Sequence, residues 1–335
     1  MSKNKSYIAS LIIPCFNNES CIERCITSLT SESMFADIEV LIVDSGSTDN
    51  SISIIEQYAT QNENIKLLKS GSGEGDSKPF DKGLKAASGQ YIMFMNPEDM
   101  AVNDGHSVLI NTVQEHGSDI LIAKKIGKDA AGQIAWQDEL LEQQYFNQKN
   151  VEMIRMYFTR RSFITNAIFT HDLIKNNKIK FDEKISLLED KVFEFQCMYY
   201  AEKLSEINDI VSQSTVETAS GIIPEINFGI YEELPEVIKV MTKLPEKMFS
   251  RQVVIDNILF HLELIYLPML AKFNDHKDII LACDNIRHAF KKYGFGKMKK
   301  NASPSYQDLI YQLKKSDYAE IIAKSFIKDK GTKQA

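Results

Sequence analysis

The sequence predicts an α/β fold: a mainly parallel, Rossmann-like sheet flanked by helices, with a C-terminal helical region after it. Three observations carry that expectation. In the first half of the chain, short apolar runs alternate with longer stretches of helical periodicity. Several runs are apolar throughout, as expected for strands covered on both faces. The links between them have the length that strand–helix–strand units require.

The first strand is expected at 8–16 (IASLIIPCF), followed by a helix in CIERCITSLT. A second strand follows at 38–44 (IEVLIVD), with a helix in NSISIIEQYATQ, and a third at 65–69 (IKLLK), with a helix in KPFDKGLKAAS. The fourth strand, 91–95 (YIMFM), precedes the helical pattern DGHSVLINTVQEHG, and DILIAKK (119–125) is the fifth. Residues 128–150 read as an excursion that holds the only tryptophan, Trp136. Order returns over 164–211, where Glu189 and Asp190 open an amphipathic helix with Phe193, Cys197 and Tyr200 on one face. From about 225 the pattern is helical, broken at 291–306 before a last helix at 307–328. The expected domains are therefore 1–225 and 226–335.

The 335 residues suffice for one large domain with an appendage, or for two domains. The net charge of −7 is unevenly spread. Residues 284–335 hold 12 Lys/Arg against 5 Asp/Glu, which is +7 and leaves −14 for the remainder. A basic tail on an acidic body suggests an anionic partner, either a membrane surface or a polyanionic acceptor; a solvated helical face is the plainer alternative. Nothing points to nucleic acid. The opening MSKNKSYIAS lacks the apolar core of a signal peptide. The most apolar stretch, 253–273, contains Asp256, His261 and Glu263. Because one charge at a bilayer centre costs about 2.5–3.5 kcal/mol, that stretch reads as a buried helix. The odd count of five cysteines, without a metal-site frame, fits packed thiols in a reducing compartment. The expected location is the cytoplasm, with the basic tail at the inner face of the membrane.

In a parallel sheet, ligands bind beyond the carboxyl ends of the strands. That rule selects the loops after Phe16, Val43 and Met95. Asp44 can accept a hydrogen bond from a base N–H or a ribose hydroxyl, whereas Thr48 and Asp49 are expected to cap the next helix. Glu98 and Asp99 offer the hard oxygens that suit Mg²⁺ or Mn²⁺ held together with substrate phosphates. Asp190, near a helix N-terminus, suits a general base on an acceptor hydroxyl. Other features weigh less. GSGEG (71–75) follows the third strand without the spacing of a dinucleotide loop. The six histidines show no metal-ligand spacing. Trp136, with Tyr145 and Phe146 nearby, is either a platform for an acceptor sugar or loop packing. Glu189 is either a metal or acceptor contact or a first-turn acid. Arg160 and Arg161 face a phosphate or form a solvated pair.

Four segments, LIIPCFNNESCIERCITSL, EVLIVDSGSTDNS, FDKGLKAASGQYIMFMNPED and IKFDEKISLLEDKVFEF, resemble in order and spacing the family 2 glycosyltransferases of GT-A fold. The likeness covers about 8–210, and NAIFTHDLIKNNKIKFDE is also similar to the teichoic-acid glycosyltransferases of Gram-positive bacteria. The resemblance implies that Pro14 and Phe16 border the nucleotide base and that Asp44 binds it. It implies that Asn96-Pro97-Glu98 stands where the family has Asp-x-Asp, with Glu98 on the metal and Asn96 toward the ribose. It makes Asp190 the catalytic base of an inverting displacement. Asp81 stands where the family has Asn, and Phe80 where some members place an Arg near the diphosphate; Lys78 is the candidate substitute. No basic segment follows the Glu-Asp pair. These departures leave two functions open. One is an inverting, metal-dependent transferase moving a sugar from a nucleotide-sugar, a UDP-sugar above others, to a surface polysaccharide or polyol-phosphate acceptor. The other is a catalytically silent domain acting as a glycan-binding or assembly partner. Relatives of the teichoic-acid type also imply self-association through the C-terminal region.

Overall fold

The computed structural model describes residues 6–70, 77–138, 140, 144–146, 164–182, 184–185, 188–215, 233, 236–237, 239–240, 276–294, 300, 304 and 307–315. The chain divides into two compact units, Met1–Gln148 with Ser162–Ile222 and Lys149–Arg161 with Ile223–Ala335. The second unit takes in 149–161, which the sequence pattern assigns to the first domain.

The first unit is built on one sheet. Its strands are β1 (Ala9–Cys15), β2 (Ile38–Asp44), β3 (Ile65–Lys69), β4 (Tyr91–Phe94), β5 (Asp99–Ala101), β6 (Ile120–Lys128), β7 (Ile134–Gln137), β8 (Gln144–Phe146), β9 (Ala167–Thr170) and β10 (Lys203–Thr215). They run in the order β3-β2-β1-β4-β9-β6-β10-β5, with β7 on β6 and β8 on β10. The helices are α1 (Ile22–Thr30), α2 (Ser51–Gln61), α3 (Ser77–Ala86), α4 (Gly105–His116), α5 (His171–Asn176) and α6 (Glu189–Tyr200).

The quartet β3-β2-β1-β4 is wholly parallel. Beyond it the sheet is mixed, which refines the expectation of a mainly parallel one. β9 runs antiparallel to both β4 and β6, and β10 returns parallel to β6. Within the parallel quartet every residue of β2 is buried, its two acids Glu39 and Asp44 included, while the edge strand β3 is partly exposed. Helix α1 covers one face with Ile22, Cys25, Ile26 and Leu29. At Gly83 of α3 a Cβ would meet Ile12 of β1 at 2.4 Å, so this close helix–strand approach requires glycine.

Pro14 sits in a central strand, normally a poor place for a residue without an N–H. The register resolves this. Ile12 accepts from the Met95 N–H at 3.1 Å, and Pro14, two residues on, faces the same side beyond the last residue of β4. No ladder bond is lost, and the strand can end in a loop that faces a ligand.

Under the sheet lies an aromatic cluster. Phe94 meets Phe80, Phe169, Phe181 and Phe193 edge-on, with centroids 5.3–6.2 Å apart, and Phe181 stacks on Phe193 at 4.4 Å. Each buried phenylalanine is worth about 1.5–3 kcal/mol from area, and each ring pair about 0.5–1.5 kcal/mol more. Phe80 is therefore a core residue. That explains why no Arg stands at its position here.

In the second unit the described helices are α7 (His276–Tyr293) and α8 (Gln307–Lys315). Cys283, Ile286, Ala289, Phe290 and Ile310 are buried there. No described helix is long and apolar enough to cross a membrane. The apolar stretch 253–273 lies outside the described residues, as do Arg160, Arg161 and the side chains of Lys78, Tyr145 and Phe146.

Candidate active site

The site forms at the carboxyl ends of β1, β2 and β4. The register pairs Cys15 with Asp44, so the loops after β1 and β2 leave the sheet side by side. They are joined by hydrogen bonds from backbone to side chain. Asn17 N–H donates to Ser47 Oγ at 2.9 Å, and Thr48 N–H to Asn17 Oδ1 at 2.8 Å. Asn18 N–H donates to Ser51 Oγ at 2.8 Å, Glu19 N–H to Asp49 Oδ2 at 3.0 Å, and Asn50 N–H to Glu19 Oε2 at 2.9 Å. Asn17 takes the left-handed φ of 53° that asparagine tolerates better than most residues. The N-cap of α2 is Asn50, which makes no side-chain capping bond, so neither Thr48 nor Asp49 is the expected cap; Asp49, one residue earlier, ties the start of α2 to the β1 loop. One oxygen accepts the Ser51 N–H at 3.0 Å and the other ties the two loops. Desolvation opposes its ionisation, but the bonds from Ser51 and Glu19 win and hold its carboxyl below the usual range.

Asp44 is buried at the base of this lattice. Its carboxylate accepts from the Gly46 N–H at 2.9 Å and the Ser47 N–H at 3.2 Å, which fixes the loop it begins. Above it Phe16 is 57% exposed, unusual for a phenylalanine that follows a strand buried at every residue but Pro14. Burial, then the Asp44 charge, pushes the neighbouring Cys15 thiol up to about 11, so it is no nucleophile at neutral pH.

The third loop is the turn Asn96–Asp99, closed by the Asp99 N–H on the Asn96 carbonyl at 3.1 Å. Helix α1 braces it from outside: Arg24 donates to the Glu98 carbonyl at 3.1 Å and the Cys25 thiol to the Asn96 carbonyl at 3.8 Å. The two acids of the turn then part company. Glu98 reaches solvent, yet protein atoms crowd it. This partial desolvation, followed by the Asp99 charge, pushes its carboxyl up from the usual value. Asp99 has no exposed surface. Its Oδ1 accepts from Ser214 Oγ at 2.8 Å, and its Oδ2 is ion-paired with Lys125. Both oxygens are engaged, so the expected second metal ligand is a structural anchor in this arrangement.

Among the described residues no group of three or more His, Cys, Asp or Glu side chains is placed to hold a metal. The chemistry that fits is narrower. Glu98 offers a hard oxygen with no side-chain partner among the described residues, and Mg²⁺ or Mn²⁺ is commonly held by one or two carboxylates plus substrate phosphates.

The remaining candidates sit as follows. Asp190 lies in the first turn of α6, half-buried, with Oδ1 accepting the Lys191 N–H at 2.6 Å. Phe193, one helical turn further on, packs at 5.3 Å against Phe94, the last residue of β4. That contact docks α6, which carries Asp190 in its first turn, on the last residue of β4. Glu189 is buried beside it. Asp81 is buried and ion-paired with Lys85 one turn along α3, so it serves its own helix rather than an open site. Trp136 pairs with Gly127 across β7 and β6, and a Cβ at Gly127 would meet its indole nitrogen at 2.0 Å. Its indole therefore packs over Gly127 of β6, partly exposed. Sequence reading misses Lys125, Thr165 and Ser214 around Asp99. The available signal is a lysine inside the apolar run ILIAKKIG, since a buried lysine needs a partner.

Residues 10–175 match the family described as Glycosyl transferase family 2. They form a family 2 glycosyltransferase domain. The poly(ribitol-phosphate) beta-glucosyltransferase of Bacillus spizizenii is 28% identical over 69% of this chain and 36% of its own length. The poly(ribitol-phosphate) beta-N-acetylglucosaminyltransferase TarS of Staphylococcus aureus is 28% identical over 60% of this chain and 34% of its own length. The matches thus span about a third of these relatives. The crystal structure of S. aureus TarS 1–349 in complex with UDP-GlcNAc superposes with a TM-score of 0.75 at 19% identity, covering 96% of this chain and 92% of that one. The fold of the domain is the GT-A fold that the four sequence segments imply.

Proposed function

We propose that this chain is an inverting glycosyltransferase that takes a sugar from a UDP-sugar and places it on a hydroxyl of a teichoic-acid-type polyol phosphate or a related surface polysaccharide. One observation carries the reading: at the carboxyl ends of three adjacent parallel strands stand an exposed aromatic ring, a buried carboxylate and a carboxylate with no side-chain partner among the described residues. Phe16 offers a face for the base, and the Asp44 loop fixes its edge. Asn96 presents an uncharged amide oxygen toward the ribose. Glu98 is the proposed ligand for Mn²⁺ or Mg²⁺ at the diphosphate; Asp99 is not proposed as one. The ion, when bound, neutralises the departing diphosphate.

Asp190 takes the proton from the acceptor hydroxyl as that oxygen attacks the anomeric carbon from the face opposite the leaving group. The poly(ribitol-phosphate) named for the relatives and the UDP-GlcNAc in the TarS complex support ribitol-phosphate and UDP-sugar chemistry, and the basic 284–335 segment suits a polyanionic acceptor or an anionic membrane face. Self-association through the second unit and a cytoplasmic location belong to the same reading. The test is transfer from UDP-glucose and UDP-N-acetylglucosamine to poly(ribitol phosphate). Transfer that falls at least 100-fold in Asp190→Asn, with UDP binding kept, is expected. Near-normal transfer in that variant would remove the mechanism. Glycan binding without any transfer would return the chain to the silent-domain reading, which the engagement of Asp99 and Asp81 favours.

A further inference from the structure

We infer that Lys125 is a positioning residue for the Asn96–Asp99 turn, and that it couples this turn to both ends of the chain excursion between β7 and β9. The inference rests on the donor-site reading above and goes beyond it, because Lys125 acts on the turn from behind, through Asp99, Thr165 and Asp138.

The geometry is specific. Lys125 lies on β6 and is buried. Its ammonium is ion-paired with Asp99 and donates to Thr165 Oγ1 at 3.1 Å. Its backbone N–H donates to Asp138 Oδ2 at 2.9 Å, and its carbonyl accepts the Asp138 N–H at 3.0 Å. Asn166 reaches the same Asp138 carboxylate at 3.2 Å. One residue therefore holds Asp138 where the excursion leaves, Thr165 where it returns, and the acid that closes the turn bearing Glu98. Ser214 of β10 holds the other oxygen of Asp99.

A buried lysine and a buried aspartate are retained only as a pair, since either alone is a charge without solvent. The pair replaces nothing that a hydrophobic core could not supply more simply. What it adds is a fixed direction. With the Glu98 carbonyl held by Arg24, the Asp99 N–H by the Asn96 carbonyl and the Asp99 side chain by Lys125, the peptide unit that follows the Glu98 Cα is anchored. The carboxylate is then preorganised toward the carboxyl edge of the sheet. Partners of this kind around metal ligands typically change metal affinity 10–100-fold when removed.

The test is calorimetric titration of UDP into the whole chain, with and without Mn²⁺. Three variants are used: Lys125→Arg, Lys125→Met and the double variant Lys125→Met/Asp99→Asn. The double variant leaves no lone buried charge, so it keeps a readout if Lys125→Met fails to fold. The expected result is a 10–100-fold loss of Mn²⁺-dependent UDP affinity in the double variant, unchanged UDP affinity without metal, and recovery of at least half of that loss in free energy by Lys125→Arg. Full Mn²⁺-dependent affinity in the folded double variant would overturn the positioning role while leaving the donor site intact. Equal losses with and without metal would also overturn it, as general damage. Absence of any Mn²⁺-dependent UDP binding in the unsubstituted chain would overturn both the inference and the reading on which it rests.

Discussion

The two edges of the parallel sheet treat a carboxylate in opposite ways. At the amino edge, Glu39 is enclosed by donors: Ser10 Oγ at 2.7 Å, the Ser88 N–H and Oγ each at 2.9 Å, and Lys66 Nζ at 2.5 Å. Desolvation works against its ionised form, but Lys66, Ser10 and Ser88 outweigh it and hold the carboxyl below its usual value. At the carboxyl edge, Glu98 has no side-chain donor and no paired cation among the described residues, and desolvation with the Asp99 charge pushes it up. The amino edge is satisfied from within and needs nothing else. The carboxyl edge is braced as firmly, by the lattice between the β1 and β2 loops and by the Lys125–Asp99 pair, yet it leaves Phe16 and Glu98 unspent. Rigid support around unsatisfied groups distinguishes a site from a structural network.

The comparison is broken most severely at the chemistry. Asp190→Asn is expected to lower kcat by roughly 10²–10⁴ with little change in melting temperature, measured by steady-state transfer and a thermal scan. If kcat survives, the carboxyl edge has its base elsewhere. Next comes the amino edge. Glu39→Gln is expected to cost about 2–3 kcal/mol in urea unfolding, because a charged acceptor of several hydrogen bonds is lost, with kcat per folded molecule unchanged. The pH sign follows from the depressed carboxyl. Its stabilisation is complete above the unfolded value of about 4.5 and is lost as pH falls through the lower folded value. The Glu39→Gln penalty should therefore shrink on acidification.

A smaller effect is expected at the base platform. Phe16→Ala should weaken UDP binding by about 1–2 kcal/mol, the scale of one base–aromatic stack, and leave stability within about 0.5 kcal/mol because the ring is already exposed. Smallest is Glu98→Gln in the ligand-free protein. A carboxyl pushed up contributes stability below the unfolded value that is lost as pH rises through the folded one. Removing its charge should therefore raise stability slightly at pH 7, by less than about 1 kcal/mol after solvent screening, and not at pH 4. A lower melting temperature at pH 7 would mean that Glu98 is satisfied like Glu39.

How far the sequence shows this can be argued residue by residue. β1 to β4 and α1, α2 and α4 are legible because an unbroken apolar run and a 3.6-residue period are local signals. β9 is not legible as antiparallel, because AIFT has the same pattern in either direction and its placement depends on β4 and β6 around it. β5 is only three residues long, below what a period can reveal. In the site, Phe16, Asp44 and Glu98 follow from the strand-end rule. Asp99 does not, since its role is decided by Lys125, 26 residues away, and Ser214, 115 residues away. Asp81 is decided by Lys85, a helical pair that was readable at i,i+4. Phe80 is decided by Phe94 and by Phe181, which lies beyond β9 in the chain.

The central claim is that the carboxyl edge holds a metal–nucleotide donor through Glu98. It is tested most directly by thermal stabilisation with UDP, GDP, CDP and ADP, each with and without Mn²⁺, in the unsubstituted chain and in Glu98→Ala. Ligand at ~100 times its Kd adds ~2.7 kcal/mol to the folded state. The account predicts a rise with UDP that needs Mn²⁺ and disappears in Glu98→Ala; a rise that persists undiminished in Glu98→Ala, or none with any nucleotide, would contradict it.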